Sequence, residues 1–163
     1  MSDLGSQTPY PSQPPPGTEW QAATPAPTGK PSGPRSGFWR RFAAAFVDGL
    51  VLAIPNTIFV AALDYATANL LSLIVGMSYF TYFEGGPTGQ TLGKRALGIR
   101  VIDFKGGGPI GYGRGLVRYI ARFLSAIVFF LGYFWMLWDP EKQTWQDKIA
   151  GTVVVPVAAY PVR

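Results

Sequence analysis

The chain has 163 residues, no cysteine, no histidine and a formal charge of +5. Without Cys it has neither a disulfide framework nor a thiolate metal site, and without His it forgoes the commonest zinc ligand and general base near neutral pH. Charged residues are only 14% of the chain against 48% hydrophobic ones, about half the charged share of an ordinary soluble domain.

Residues 1–36 hold nine prolines among Ser, Thr, Gln and Gly. Proline removes backbone donors, and the stretch has little apolar surface to bury, so it is expected to be a disordered head. Met1–Tyr10 lacks the basic start and apolar run of a secretory signal, and no cleavable signal is expected. The head reads as a solvated tether or as a ligand for a proline-binding module.

A membrane domain is predicted over 37–157. Phe42–Leu63 is broken only by Asp48, Asn56 and small polar groups, and as a helix it is long enough to cross a hydrocarbon core of about 30 Å. Pro55 lies within it, which membrane helices tolerate. Ala66–Phe83 carries no charge and ends in Tyr79, Phe80, Tyr82 and Phe83, rings suited to a membrane interface. Asp64 and Tyr65 leave room for only a tight connection, so the pair is expected to form a transmembrane helical hairpin. Ser72 and Gly76 are spaced for close helix packing.

Residues 84–115 read as a basic loop. Glu84–Thr91 is rich in turn residues, and Gly106–Pro109 ends a short strand predicted over Leu97–Phe104. A third apolar segment, Leu116–Trp138, carries Arg118 and Arg122 in its first turns. Its uncharged part, Phe123–Trp138, covers only about 24 Å as a helix, so the segment either spans or re-enters. Gly113–Arg122 is expected to lie along the interface, with its Arg heads snorkelling to the headgroups. Trp135, Trp138 and Trp145 read as interface anchors. Gly151–Val157 is a second strand-like stretch, and pairing it with Leu97–Phe104 satisfies both backbones while drawing Asp147 towards Arg41. A tail, 158–163, follows. The fold class is thus an all-α membrane protein: a helical hairpin and a third apolar helix, with short β segments in the loop and C-terminus.

Lys30, Arg35, Arg40 and Arg41 precede the first helix, and Lys94, Arg95, Arg100, Lys105, Arg114, Arg118 and Arg122 follow the second, with no cation between the helices. Loops rich in Lys and Arg stay inside, which places the N-terminus and the 84–122 segment in the cytoplasm of a multi-pass cell-membrane protein. Anionic lipid headgroups are the nearest partner for these cations, at about 1 kcal/mol each. Self-association or other membrane proteins come next. Nucleic acid is not expected, because no folded soluble domain presents a basic face.

Asp48 lies roughly 9 Å inside the first helix by helical rise. An acid at such a position costs on the order of 2.5–3.5 kcal/mol and needs a partner. It is either an ion or proton site or a structural partner for an Arg such as Arg118 or Arg122. Arg41, seven positions earlier, shares its face. A phosphate-loop reading of Gly85–Lys94 fails, since Thr88 stands where the first Gly belongs and Arg95 follows the Lys. Asp147 reads by itself as a cap or turn residue. No catalytic residue, metal site or cofactor is expected, and an enzyme is the least favoured class.

Three stretches together resemble the RDD family of small multi-pass membrane proteins: Arg40–Leu50 with Arg41 and Asp48, Thr88–Asp103 with Thr91, Gly93, Lys94, Arg100 and Asp103, and Gln143–Val155 with Asp147. The resemblance implies that Arg41, Asp48 and Asp147 are the name-giving residues, with Asp103 competing with Asp147. Lys94, Arg100, Asp103, Arg118 and Arg122 are secondary candidates. The head is similar to that of actinobacterial, proline-rich-antigen-like members. The resemblance implies a multi-pass membrane protein of unresolved molecular role, with transport suspected and cation/proton antiport suggested for some members. Three short hydrophobic segments cannot enclose a pathway alone, so the transport reading is of a cation or small solute within an oligomer or complex. The alternative is a non-transporting scaffold that binds protein partners. Members often carry His before the third-motif Asp; this chain has Gln146, which weakens proton coupling.

Overall fold

A computed structural model describes residues 32–127 and 131–161, with the backbone alone at 126, 127 and 131. The disordered head was expected over 1–36, and its first 31 residues lie outside the described ones. Its last residues are packed: Ser36 is buried and donates its N–H to the Val154 carbonyl at 3.0 Å, and Arg35 pairs with Glu141 at 2.7 Å. The folded part therefore begins before Gly37.

Helix α1 runs Phe38–Ala62 and α2 runs Tyr65–Gly85. The turn between them is Leu63-Asp64, and Asp64 caps α2 by accepting the N–H groups of Ala66 and Thr67, both at 3.1 Å. Pro55 sits inside α1. Both helices are long and apolar enough to cross a membrane. Phe46, Leu50, Ile54, Ile58 and Val60 of α1, with Leu70, Leu73 and Ile74 of α2, are exposed, a surface that suits hydrocarbon and that water would penalise. Ser72 reaches across the hairpin to Asn56 Oδ1 at 2.7 Å.

Past α2 the chain builds a cap. Helix α3 is Leu92–Ala96, strand β1 is Ile99–Asp103 and strand β2 is Thr152–Pro156. The strands pair antiparallel, Ile99 with Pro156, Val101 with Val154 and Asp103 with Thr152. One sheet face packs Ile99, Val101 and Val154 against Ala44 of α1, and the other packs Ile102, Val153 and Val155 beside Tyr160. Apolar side chains on both faces explain why Val153-Val154-Val155 does not alternate with polar residues. The tail also helps to hold the cap, since Arg100 donates to the Pro161 carbonyl at 2.9 Å.

The third apolar segment is described in pieces, with residues 128–130 outside the described ones. Helix α4 covers Gly111–Ile127, helix α5 Leu131–Phe134 and a 3₁₀ turn Trp135–Leu137. After them comes helix α6, Trp145–Ala150, directly before β2, and among the described residues the helices long and apolar enough to cross a membrane are α1 and α2. Snorkelling is corrected. α4 turns Val117, Ile120, Phe123 and Leu124 outward and buries Arg118, the reverse of a helix that sends its cations to the surface. The reason lies at the end of α2, where Glu84 is fully buried and draws Arg118 inward.

Candidate functional site

The site starts from three buried acids supplied by different elements. Asp48 projects from α1 about three turns after its start, Glu84 from the last turn of α2, and Asp147 from the first turn of α6. All three are within 1% of full burial, and unpaired charges there would be costly.

Asp48 is answered by the loop before α3. Thr91 donates its hydroxyl to Oδ2 at 2.6 Å, the Gly93 N–H reaches Oδ1 at 2.8 Å, and the Tyr79 hydroxyl reaches Oδ1 at 2.7 Å. Thr91 is also the N-cap of α3, accepting the Lys94 N–H. The stretch Thr91-Leu-Gly-Lys is thus a short helical start docked on an acid of α1. Neither Arg118 nor Arg122 pairs with Asp48, so the expected ion pair is replaced by hydroxyl and amide donors.

The arginines go elsewhere. Asp147 receives Arg41 at 2.5 Å on Oδ2 and Arg118 on Oδ1. Glu84 receives Arg118 at 2.8 Å, Arg122 at 2.8 Å and Lys94 at 2.5 Å. Arg118, with its side chain 2% exposed, bridges the two acids and also donates to the Thr152 hydroxyl on β2. One continuous cluster therefore ties α1, α2, α3, α4 and α6 together. Arg122 additionally lies over the Phe80 ring, 3.9 Å from its centroid. Asp147 also accepts the Thr144 N–H at 3.0 Å, serving as a cap within α6 while it binds two guanidinium groups.

Burial alone would raise the Asp147 carboxyl, but the charges of Arg118 and Arg41 and the Thr144 N–H overcome that and hold it below its ordinary 3.8. A carboxylate whose pKa falls on folding contributes stability that is complete above the unfolded value and is lost as pH falls through the lower folded value. Thermal unfolding of the detergent-solubilised protein is therefore expected to show no Asp147 titration from pH 8 to 5, with acid loss starting only below about pH 4. A midpoint falling steeply between pH 7 and 6 would contradict this.

Arg41, Asp147, Lys94, Arg118 and Arg122 are brought together; Arg100 and Asp103 are not. Arg100 serves backbone carbonyls of Pro87 and Pro161. Asp103 pairs with Arg114 at 2.7 Å, which itself donates to the carbonyls of Ala150 and Gly151. Sequence reasoning missed Glu84, Thr91, Gly93 and Tyr79 as site residues. Glu84 had a signal: it is the acid that closes the long uncharged run of the second helix.

Beside the cluster lies a cavity of about 560 Å³ between α1, α4 and the α5 region, with Arg41, Asp48, Arg122 and Gln146 among its walls. Among the described residues no group of His, Cys, Asp and Glu is arranged to hold a metal ion.

No solved structure matches the chain. Among curated proteins, a proline-rich antigen homolog of Mycobacterium tuberculosis is 40% identical over 85 residues, which is 50% of this chain and 35% of that protein. The chain thus spans about a third of the mycobacterial relative's length. The uncharacterized membrane protein YteJ of Bacillus subtilis is 29% identical over 143 residues, covering 77% of this chain and 83% of its own. A Haemophilus influenzae protein is 31% identical over 121 residues, 72% of this chain and 75% of its own. The RDD family profile matches residues 35–151, from the Arg35 anchor through both buried acid–arginine sites to the end of α6. This chain is a membrane protein of the RDD family.

Proposed function

We propose that this protein is a non-catalytic, membrane-embedded assembly module. Its hairpin crosses the bilayer twice and associates with itself or with other membrane proteins through apolar helix faces. Its cap is held at the cytoplasmic surface by the ionic cluster. The observation that carries this reading is that Asp48, Glu84 and Asp147 each spend their carboxylate on internal donors. An acid that binds and releases an ion in a transport cycle needs coordination sites left for it.

Transport within an oligomer is the second reading, favoured by one feature: Asp48 borders the cavity. Asp48→Asn separates the two. As a structural anchor, Asp48 loses charge-assisted bonds, and stability is expected to drop by about 1.5–3 kcal/mol, with no change in ion flux across reconstituted vesicles. An intact, equally stable variant that has lost cation flux would establish transport instead.

The sheet supports a topology. Because β1 and β2 pair, their segments share one side of the membrane, and the positive-inside rule makes that side cytoplasmic. Reporter fusions after Lys105 and after Tyr160 are both expected to report cytoplasm. An external signal at Tyr160 alone would restore a third crossing.

A further inference from the structure

The buried cluster does not balance. Arg41, Lys94, Arg118 and Arg122 bring four positive charges to Glu84 and Asp147, which bring two negative ones; four minus two leaves an excess of two. Asp48, on the wall of the same cavity, still leaves one. A net charge out of water is expensive unless a counter-ion sits beside it.

The cavity is where that counter-ion fits. Arg41 and Arg122 reach it, and their side chains keep 11% and 19% exposure. Three residues of its wall, Arg41, Thr144 and Gln146, each carry a buried polar atom without a hydrogen-bond partner, Nε, Oγ1 and Oε1, and Gln146 as a whole is 6% exposed. An unpaired Arg N–H calls for an anion, and an unpaired Gln carbonyl calls for a hydroxyl or ammonium donor. Lys94, Arg118 and Thr144 also line it, and the remaining wall is mostly apolar, with Phe42, Leu52 and Phe80 among it. Its volume of about 560 Å³ lies in the range of small-molecule sites, roughly 300–1,000 Å³. An anion-seeking floor under apolar walls, beside membrane-crossing helices, matches one ligand chemistry.

We propose that this cavity is a binding site for one anionic phospholipid. Its phosphate lies against Arg41 and Arg122, its headgroup stands beside Gln146, and an acyl chain runs along the α1 face towards Leu52. The proposal rests on the membrane reading above but on neither the scaffold nor the transport role. Basic pockets at the cytoplasmic ends of membrane helices hold lipid headgroups by this chemistry.

Gly49 supplies a clean plug. It borders the cavity, and a Cβ added there meets nothing within 4 Å. Gly49→Leu therefore fills the acyl path while improving helix propensity. The full chain, purified in a neutral detergent, is titrated with phosphatidylglycerol, phosphatidylcholine or inorganic phosphate while its melting temperature is followed. Phosphatidylglycerol is expected to raise the midpoint by several degrees, with phosphatidylcholine and phosphate giving less than a third of that shift. Gly49→Leu is expected to melt no lower than the parent and to lose most of the response; if it fails to fold, Ala45→Leu on the same wall replaces it. An equal response to phosphatidylcholine overturns the charge argument. An equal response to phosphate makes the site one for a free anion, and an undiminished response in the plugged variant moves the lipid elsewhere. Lipid analysis of the purified protein gives the independent check: no retained phosphatidylglycerol, together with a concentration-dependent dimer mass, would assign the cavity to a second copy.

Discussion

Replacing Arg118 with alanine is expected to destabilise the cap by about 3–5 kcal/mol, the cost of leaving buried charges without their partner. Arg118 is the residue that joins the two halves of the cluster: it pairs with Glu84 at 2.8 Å, with Asp147, and with Thr152 of β2. Its removal leaves Asp147 with Arg41 as its one guanidinium partner and breaks the ion pair between α4 and α6, while the Arg114 bonds to the Ala150 and Gly151 carbonyls remain. The hairpin is expected not to depend on those contacts, because the exposed apolar side chains of α1 and α2 are already where a bilayer would hold them. Limited proteolysis of membranes is therefore expected to cut Arg118→Ala between Lys94 and Lys148 while both helices stay inserted. Arg118→Lys is expected to fall between, since a single ammonium does not bridge two carboxylates as a planar guanidinium does. A cap as protease-resistant as the parent's would mean that the cluster is not what holds it.

Gly93→Ala is the second large effect, and it is a matter of space. A Cβ at Gly93 would run into the backbone carbonyl of Ala44 and stand 2.9 Å from Asp48 Oδ1. A backbone neighbour in a helix does not move aside cheaply, and such overpacking costs about 1–3 kcal/mol or more. To make room, α3 must lift from α1, and the bonds from Gly93 N–H and the Thr91 hydroxyl to Asp48, 2.8 and 2.6 Å, lengthen with it. The variant is expected to lose as much stability as Asp48→Asn, and the double variant less than the sum, because both break one contact. Gly113→Ala in α4 is the control: nothing lies within 4 Å of its Cβ, so it is expected to be neutral or slightly stabilising. Full additivity of Gly93→Ala and Asp48→Asn would show that the two residues do not act together.

The sequence by itself determined the parts whose physics is local. An uncharged run such as Ala66–Phe83 has few ways to be satisfied other than as a helix in apolar surroundings, and α2 follows it closely. Two β-branched stretches flanked by glycines had to find backbone partners, and β1 and β2 found each other. Asp48 was legible as an acid needing company because an ionised carboxylate among apolar neighbours is expensive wherever it occurs. Tertiary structure decided which company it keeps. Charge alone favoured an arginine, yet Thr91 and the Gly93 amide arrive first, since a glycine lets α3 approach α1 to hydrogen-bonding distance. Arg118 and Arg122 looked like cations bound for the headgroups because sequence records their charge and not the buried Glu84, thirty-four and thirty-eight positions earlier, that draws them inward. The third apolar segment is constrained by the same cause: α4 is pinned by its arginines, and the chain after it returns so that β2 can pair with β1. Pairings between residues so far apart in the chain are fixed by which elements pack together, and no local pattern carries that information.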